Sequence, residues 1–134
     1  MFLLDTNVVS ETIKRIPHPK VIARLDKEPS TGLFISAVTV FELRFGAARS
    51  AKPGSLWAKI QSDIIDRFQV LPFTEQDALT AADLMAPLVG GGHNLAIQDV
   101  WLAGVAVSRG MIFVSRNRRD FDRIVGLNVE NWFD

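Results

Sequence analysis

The side chains best equipped for chemistry in this chain are carboxylates in places where carboxylates are costly. Met1-Phe2-Leu3-Leu4 is an apolar run that ends abruptly in Asp5, with Thr6-Asn7 directly behind it. That pattern reads as a buried strand delivering one acid to its C-terminal end, and in open parallel α/β sheets the ligand crevice lies outside the carboxyl ends of the strands. Taken alone, Asp5 would serve equally well as the cap of a following helix. Asp99 is the sharper anomaly. It interrupts Leu95-Ala96-Ile97-Gln98-Asp99-Val100-Trp101-Leu102-Ala103, read as a helix apolar on almost every face, and positions 95, 96, 102 and 103 offer no basic partner. An ionised carboxylate there needs compensation. A distant arginine could supply it, and so could a divalent cation, because hard cations prefer carboxylate oxygens.

Two further acids complete the set. Glu42 follows Phe41 on a helical stretch; Arg49 lies beyond (i, i+4) range and Arg44 falls on another face, so Glu42 has no local partner. Asp120 belongs to Ser115-Arg116-Asn117-Arg118-Arg119-Asp120-Phe121, which follows the apolar run ending at Val114. The order repeats that of the first strand: apolar run, hydroxyl, amide, acid. Asp120 reads equally as a first-turn acid favoured by its helix dipole. Ser115 and Asn117 are suited to orienting a carboxylate or holding a water beside it. Arg116, Arg118 and Arg119 lie next to these acids, as the grip on a polyanion requires, although basic clusters among acids are more often solvated helix faces.

The elements that must position these groups alternate along the chain. With 134 residues, 48% of them apolar, the chain is expected to form one domain, residues 1–134, around a single core. After the first strand, helical segments are expected over Asn7 to Arg15 and His18 to Lys27, the second with Pro19 in its first turn. Leu33-Phe34-Ile35 reads as a strand, and Ser36 as the cap of a helix from Ala37 to Arg49. A loop at Lys52-Pro53-Gly54 precedes a helix from Ser55 to Phe68 and a strand from Gln69 to Leu71. Thr74 with Asp77 resembles a capping pair for a helix running to about Val89, bent or shortened by Pro87. Gly90 to Asn94 is a break, Leu95 to Arg109 a strongly apolar helix stopped by Gly110, and Met111 to Val114 a buried strand. Arg118 to Val125 reads as a short helix and Leu127 to Trp132 as an edge strand. Strands separated by helices imply right-handed crossovers and a three-layer α/β/α sandwich with a central parallel sheet.

Composition narrows the chemistry. The chain has no cysteine and two histidines, His18 and His93, which removes thiol chemistry and cysteine-ligated zinc and supplies a histidine-rich metal site poorly. No stretch approaches ~18 uninterrupted apolar residues, so a cytoplasmic protein without a membrane span is expected. The balance of 15 basic and 15 acidic residues does not by itself announce a nucleic-acid binder.

Together, Leu4-Asp5-Thr6-Asn7, the stretch Ile35 to Gly46 containing Glu42, Asp99 followed by Trp101-Leu102-Ala103, and Ser115 to Phe121 resemble a PIN domain, more narrowly the VapC/FitB toxins of type II toxin–antitoxin pairs. Each motif alone is weak, but their order and spacing, over essentially the whole chain through Val129-Glu130-Asn131-Trp132, make the resemblance specific. It implies a ribonuclease whose acids gather at the C-terminal edge of the sheet and bind Mg²⁺ or Mn²⁺. By position Asp5, Glu42 and Asp99 match the family's three principal acids and Asp120 the more variable fourth, while Thr6, Ser115 and Asn117 match its supporting polar groups. Ser115 stands where Thr is commoner and Trp101 where Ile is common, and neither departure touches an acid.

The resemblance also implies partners: an RNA substrate, whose phosphates Arg116, Arg118 and Arg119 would contact, a cognate antitoxin, and a second copy in a homodimer. An antitoxin arginine placed among the acids would displace the metal. Val21, Ile22, Leu25, Phe41, Phe45 and Trp57 are more large apolar side chains than a thin core is expected to absorb, consistent with such contacts. Phosphoaspartyl chemistry at Asp5 is the distant alternative. Asn7 stands where a phosphatase of that kind would carry a second Asp, and the last strands lack the lysine of a receiver domain.

Overall fold

The computed structural model describes residues 1–134. Its centre is a five-stranded sheet, all parallel, in the order β3-β2-β1-β4-β5. The strands are β1 (Phe2–Leu4), β2 (Leu33–Ser36), β3 (Gln69–Leu71), β4 (Ile112–Val114) and β5 (Val129–Glu130). The helices between them are α1 (Thr6–Val9), α2 (Pro19–Lys27), α3 (Ala37–Ala48), α4 (Pro53–Ile60), α5 (Glu75–Gly90), α6 (Ile97–Ser108) and α7 (Arg118–Phe121). None is long and apolar enough to cross a membrane.

The three layers follow from the twofold alternation of strand side chains. Leu4 and Val114, in register on neighbouring strands, face a core with Val8, Val21, Leu25, Leu33, Ile35, Ile60 and Ile64. Leu3 and Phe113, also in register, face the opposite way, into a core with Leu88, Leu102, Val105, Ala106 and Phe121. Both faces of the sheet are therefore covered, which is why β1 and β4 read as continuous apolar runs. On the second face α5 and α6 meet closely: a β-carbon on Gly104 would lie 2.6 Å from the Ala81 β-carbon and 2.9 Å from its backbone.

Several boundaries differ from the sequence expectation. The segment after Asp5 is helical only to Val9 and then tightens into a 3₁₀ turn, Ser10–Ile13. Pro53 is not in a loop but starts α4, where its fixed φ and missing N–H suit the first turn, and α4 widens into a π turn over Gln61–Ile65. Pro87 does not shorten α5, which continues to Gly90 behind a complete Thr74–Asp77 capping box. α7 spans only Arg118–Phe121 and β5 only Val129–Glu130. For the site the important difference is in α6, which begins at Ile97, so Asp99 lies in its first turn rather than in mid-helix. Gly110, at φ 64°, provides the left-handed stop after α6.

The apolar surplus is smaller than expected. Val21 and Leu25 are core residues, and Ile22 and Trp57 pack against that core. Phe41 and Phe45 do remain outside, 58% and 52% exposed, with their rings stacked at 6.0 Å.

Candidate active site

The parallel register builds the site. Because Leu4 pairs with Val114, the next residues of both strands, Asp5 and Ser115, emerge side by side at the C-terminal edge of the sheet. The Asp5 amide donates to the Val114 carbonyl at 2.9 Å, and the Ser115 hydroxyl donates to Asp5 Oδ2 at 2.8 Å. Asp5 is also the N-cap of α1, its Oδ1 accepting the Thr6 amide at 2.8 Å. The capping and strand-end readings of Asp5 are thus both true. Ser115, fully buried, in turn accepts the Asn117 amide at 3.1 Å.

Glu42 arrives from the next strand over. Ser36 ends β2 and caps α3, its hydroxyl accepting the Val38 amide at 3.0 Å, and this aims the second turn of α3 at the same edge. The Thr6 hydroxyl donates to Glu42 Oε1 at 3.1 Å and lies 3.3 Å from the Thr39 hydroxyl. Glu42 therefore has a partner, in space rather than in sequence. Arg44 points away, over the Trp57 ring at 4.8 Å.

Asp5, Thr6, Asn7, Glu42, Asp99, Arg116 and Asn117 line one cavity of about 440 Å³ with Ser10, Glu11 and Lys14. Burial pushes the Asp5 carboxyl up, against the opposing pull of its Ser115 and Thr6 bonds. Glu42 is raised by burial and then by the charges of Asp5 and Asp99, with the Thr6 bond opposing. Asp99 is pushed up to about 6, by burial first and then by Asp5 and Asp120. The acids thus form one mutually repelling group. None of the ion pairs in the chain includes Asp5, Glu42 or Asp99, which removes the distant-arginine explanation for Asp99.

The other expected residues separate. Asp120 is exposed and does not line the cavity, although its charge reaches Asp99; it sits in the first turn of α7. Arg116 lines the cavity with its guanidinium 4.7 Å from the centre of the Phe133 ring. Arg118 faces Asp122 at 3.7 Å, and neither it nor the exposed Arg119 borders the cavity. Sequence reasoning missed Asn7, Ser10, Glu11 and Lys14. The (i, i+3) spacing of Glu11 and Lys14 was the available signal, and it was hidden in a segment read simply as helix.

The donor set suits a hard divalent cation. Carboxylate oxygens dominate it, burial above all holds each of Asp5, Glu42 and Asp99 above its ordinary range, and Asn7 Oδ1 is buried without a hydrogen-bond partner. As the side chains stand, no three acids or histidines are arranged to hold a metal ion without movement. The expected four-carboxylate convergence is accordingly looser than the sequence suggested. The Ser115 and Thr6 bonds hold the Asp5 and Glu42 carboxylates in their present positions.

A strand-end Asp, a helix-borne Glu and a first-turn Asp meeting at the carboxyl edge of a parallel sheet define a class of protein. The family model described as "PIN domain" matches residues 2–127, and the chain belongs to the PIN-domain family, in its VapC/FitB branch. It is 35% identical to the tRNA(fMet)-specific endonuclease VapC of Salmonella typhimurium over 98% of this chain and 97% of that protein. It is 32% identical to the toxin FitB of Neisseria gonorrhoeae over 90% and 91% of the two chains. The fold superposes with TM-score 0.90 on the crystal structure of DNA-bound VapBC from Salmonella typhimurium, at 34% identity, covering 98% of this chain and 97% of the other.

Proposed function

We propose that this chain is a ribonuclease toxin of a type II toxin–antitoxin pair, hydrolysing RNA phosphodiester bonds in the cytoplasm at the Asp5–Glu42–Asp99 cavity with Mg²⁺ or Mn²⁺. The observation that carries this reading is the trio itself, three acids outside every ion pair around one cavity, all raised by burial and, for Glu42 and Asp99, by neighbouring carboxylates as well. Such an arrangement is unfavourable unless positive charge enters it. Asp5, Glu42 and Asp99 would hold the cation, and Asp120 would act on it from the rim. When bound, that ion supplies a nucleophile at neutral pH and offsets the charge that builds on the phosphoryl oxygens. Ser115 and Thr6 fix the Asp5 and Glu42 carboxylates so that their oxygens present a defined direction. Arg116 binds phosphate at the rim, its guanidinium held against the Phe133 ring. Arg118 and Arg119 act further along the strand.

Neutralisation by a cognate antitoxin is proposed from the VapBC complexes of the relatives. An antitoxin arginine directed into the acid cavity would satisfy the same charge as the metal and exclude it. The stacked Phe41 and Phe45 on α3 are proposed as contacts with a second copy in a homodimer. The test is cleavage of single-stranded RNA by protein free of contaminating nuclease. Cleavage is expected with Mg²⁺ or Mn²⁺, to stop in EDTA, and to return when either ion is restored; undiminished cleavage in EDTA would refute the metal mechanism.

A further inference from the structure

One cation in the cavity is not explained by the acid trio or by the arginine cluster. Lys14 is the C-terminal cap of the 3₁₀ turn Ser10–Ile13 and forms an ion pair with Glu11. Glu11 is only 3% exposed, and its Oε1 accepts the His18 amide at 2.8 Å. Burial works to raise the Glu11 carboxyl, but the Lys14 and His18 contacts overcome it and hold the group below its ordinary range. Glu11 is therefore a fixed anion, anchored by backbone on one side and by ammonium on the other. The anchor restricts the rotamer freedom of the long Lys14 side chain.

The anchored ammonium is not used up. The Lys14 side chain is 52% exposed, it lines the same cavity as Asp5, Glu42 and Asp99, and an ammonium has three donors to offer. Lys14 and Arg116 are the only basic residues on that lining. A pair serving only to neutralise Glu11 has no need of access to the acid cavity.

We propose that Lys14, held by Glu11, is a phosphate-positioning residue that donates to a non-bridging phosphate oxygen of the RNA strand crossing the acid cavity, acting with Arg116. The proposal rests on the ribonuclease reading above. A polyanion entering a cavity walled by carboxylates is repelled, and a cation fixed on that wall offsets the repulsion and sets the strand's register.

The experiment measures KM and kcat for a short single-stranded oligoribonucleotide in Mg²⁺ across a salt series, with Lys14→Met, Lys14→Arg and the double variant Glu11→Gln/Lys14→Met. The double variant removes the unpaired buried charge that Lys14→Met alone would leave, while Gln keeps an acceptor for the His18 amide. Anisotropy of the labelled oligonucleotide in EDTA reads binding without turnover. Loss of one charge-assisted contact is expected to raise KM about tenfold with kcat little changed and to make the salt dependence of binding shallower by about 0.7 in log–log slope. Lys14→Arg is expected to restore both. Wild-type KM and salt slope in the double variant, or a lowered melting temperature as the only effect of Lys14→Met, would overturn the proposal and leave a structural ion pair. Wild-type protein that leaves RNA intact in Mg²⁺ and in Mn²⁺ would refute the ribonuclease reading and this proposal with it, a result that needs no variant and so separates the two failures.

Discussion

Replacing Asp99 by Asn removes the charge that the site tolerates least while keeping the side chain's shape. The Asp99 carboxyl is moved from an ordinary 3.8 to about 6, which corresponds at face value to about 3 kcal/mol between its protonation states. Asp99 is only partly buried, and solvent screening reduces that to about 1 kcal/mol. Against this, Asp99 lies in the first turn of α6, where the helix dipole favours its charged form by about 0.3–1 kcal/mol. The desolvation and repulsion effects win narrowly. In EDTA at pH 7 to 8, Asp99→Asn is expected to melt level with wild type or up to about 3 °C above it, since at most about 0.7 kcal/mol is left after the helix-dipole contribution and about 1 kcal/mol moves the midpoint of a domain of this size by roughly 3–5 °C. The sign carries over to pH. A carboxyl raised in the folded state stabilises the fold at low pH, and that contribution is lost as pH rises from about 4 through about 6. Asp5 and Glu42, also raised, add in the same direction. Glu11 and Asp77 are lowered, so their stabilisation is lost only in acid below their ordinary values, outside a pH 5 to 8 window. Metal-free wild type should therefore lose stability from pH 5 to 8, and Asp99→Asn should lose less. The assay is a set of thermal melts in EDTA, with RNA cleavage in Mg²⁺ measured in parallel. Abolished cleavage with an unchanged or raised midpoint fits the assignment. Retained cleavage with a clear fall in midpoint would refute it.

Gly104→Ala places a methyl group 2.6 Å from the Ala81 β-carbon and 2.9 Å from its backbone; because helix backbone cannot swing aside as a side chain can, a loss of about 1–3 kcal/mol is expected in chemical denaturation, and an unchanged midpoint would show that α5 and α6 can separate freely. Ser115→Ala withdraws the donor at 2.8 Å from buried Asp5, so stability should fall by about 1 kcal/mol and the acidic limb of the cleavage pH profile should move to higher pH as the Asp5 carboxyl rises further. A profile that stays in place would mean that Asp5 is not titrating in the active range. Phe41→Ser with Phe45→Ser removes the exposed stacked pair and should convert a homodimer to monomer in sedimentation without lowering the melting midpoint of the monomer; an undisturbed dimer would place its interface elsewhere.

The sequence by itself determined the elements whose signals are local. Apolar runs ending at Leu4 and Val114 specified buried parallel strands, Thr74 with Asp77 specified a cap that the structure closes with two hydrogen bonds, Asp5 stood out as the abrupt end of an apolar run, and Glu42 and Asp99 stood out because each lacked a neighbour able to compensate it. Local signals failed where the backbone changes helical type, at Ser10–Ile13 and Gln61–Ile65, since the different periods of 3₁₀, α and π turns cannot be told apart over four or five residues. Only the tertiary structure decided which polar groups meet. Ser115 serves Asp5 from 110 positions away, because two strands happen to be in register, and Thr6 reaches Glu42 across 36 positions. It also decided that Arg116 enters the cavity while Arg118 turns to Asp122, and that Glu11 and Lys14 belong to the site at all. Hydrogen-bond and charge partners are set by distance in space, and a chain folded through parallel crossovers brings together residues between which its sequence carries no periodic signal.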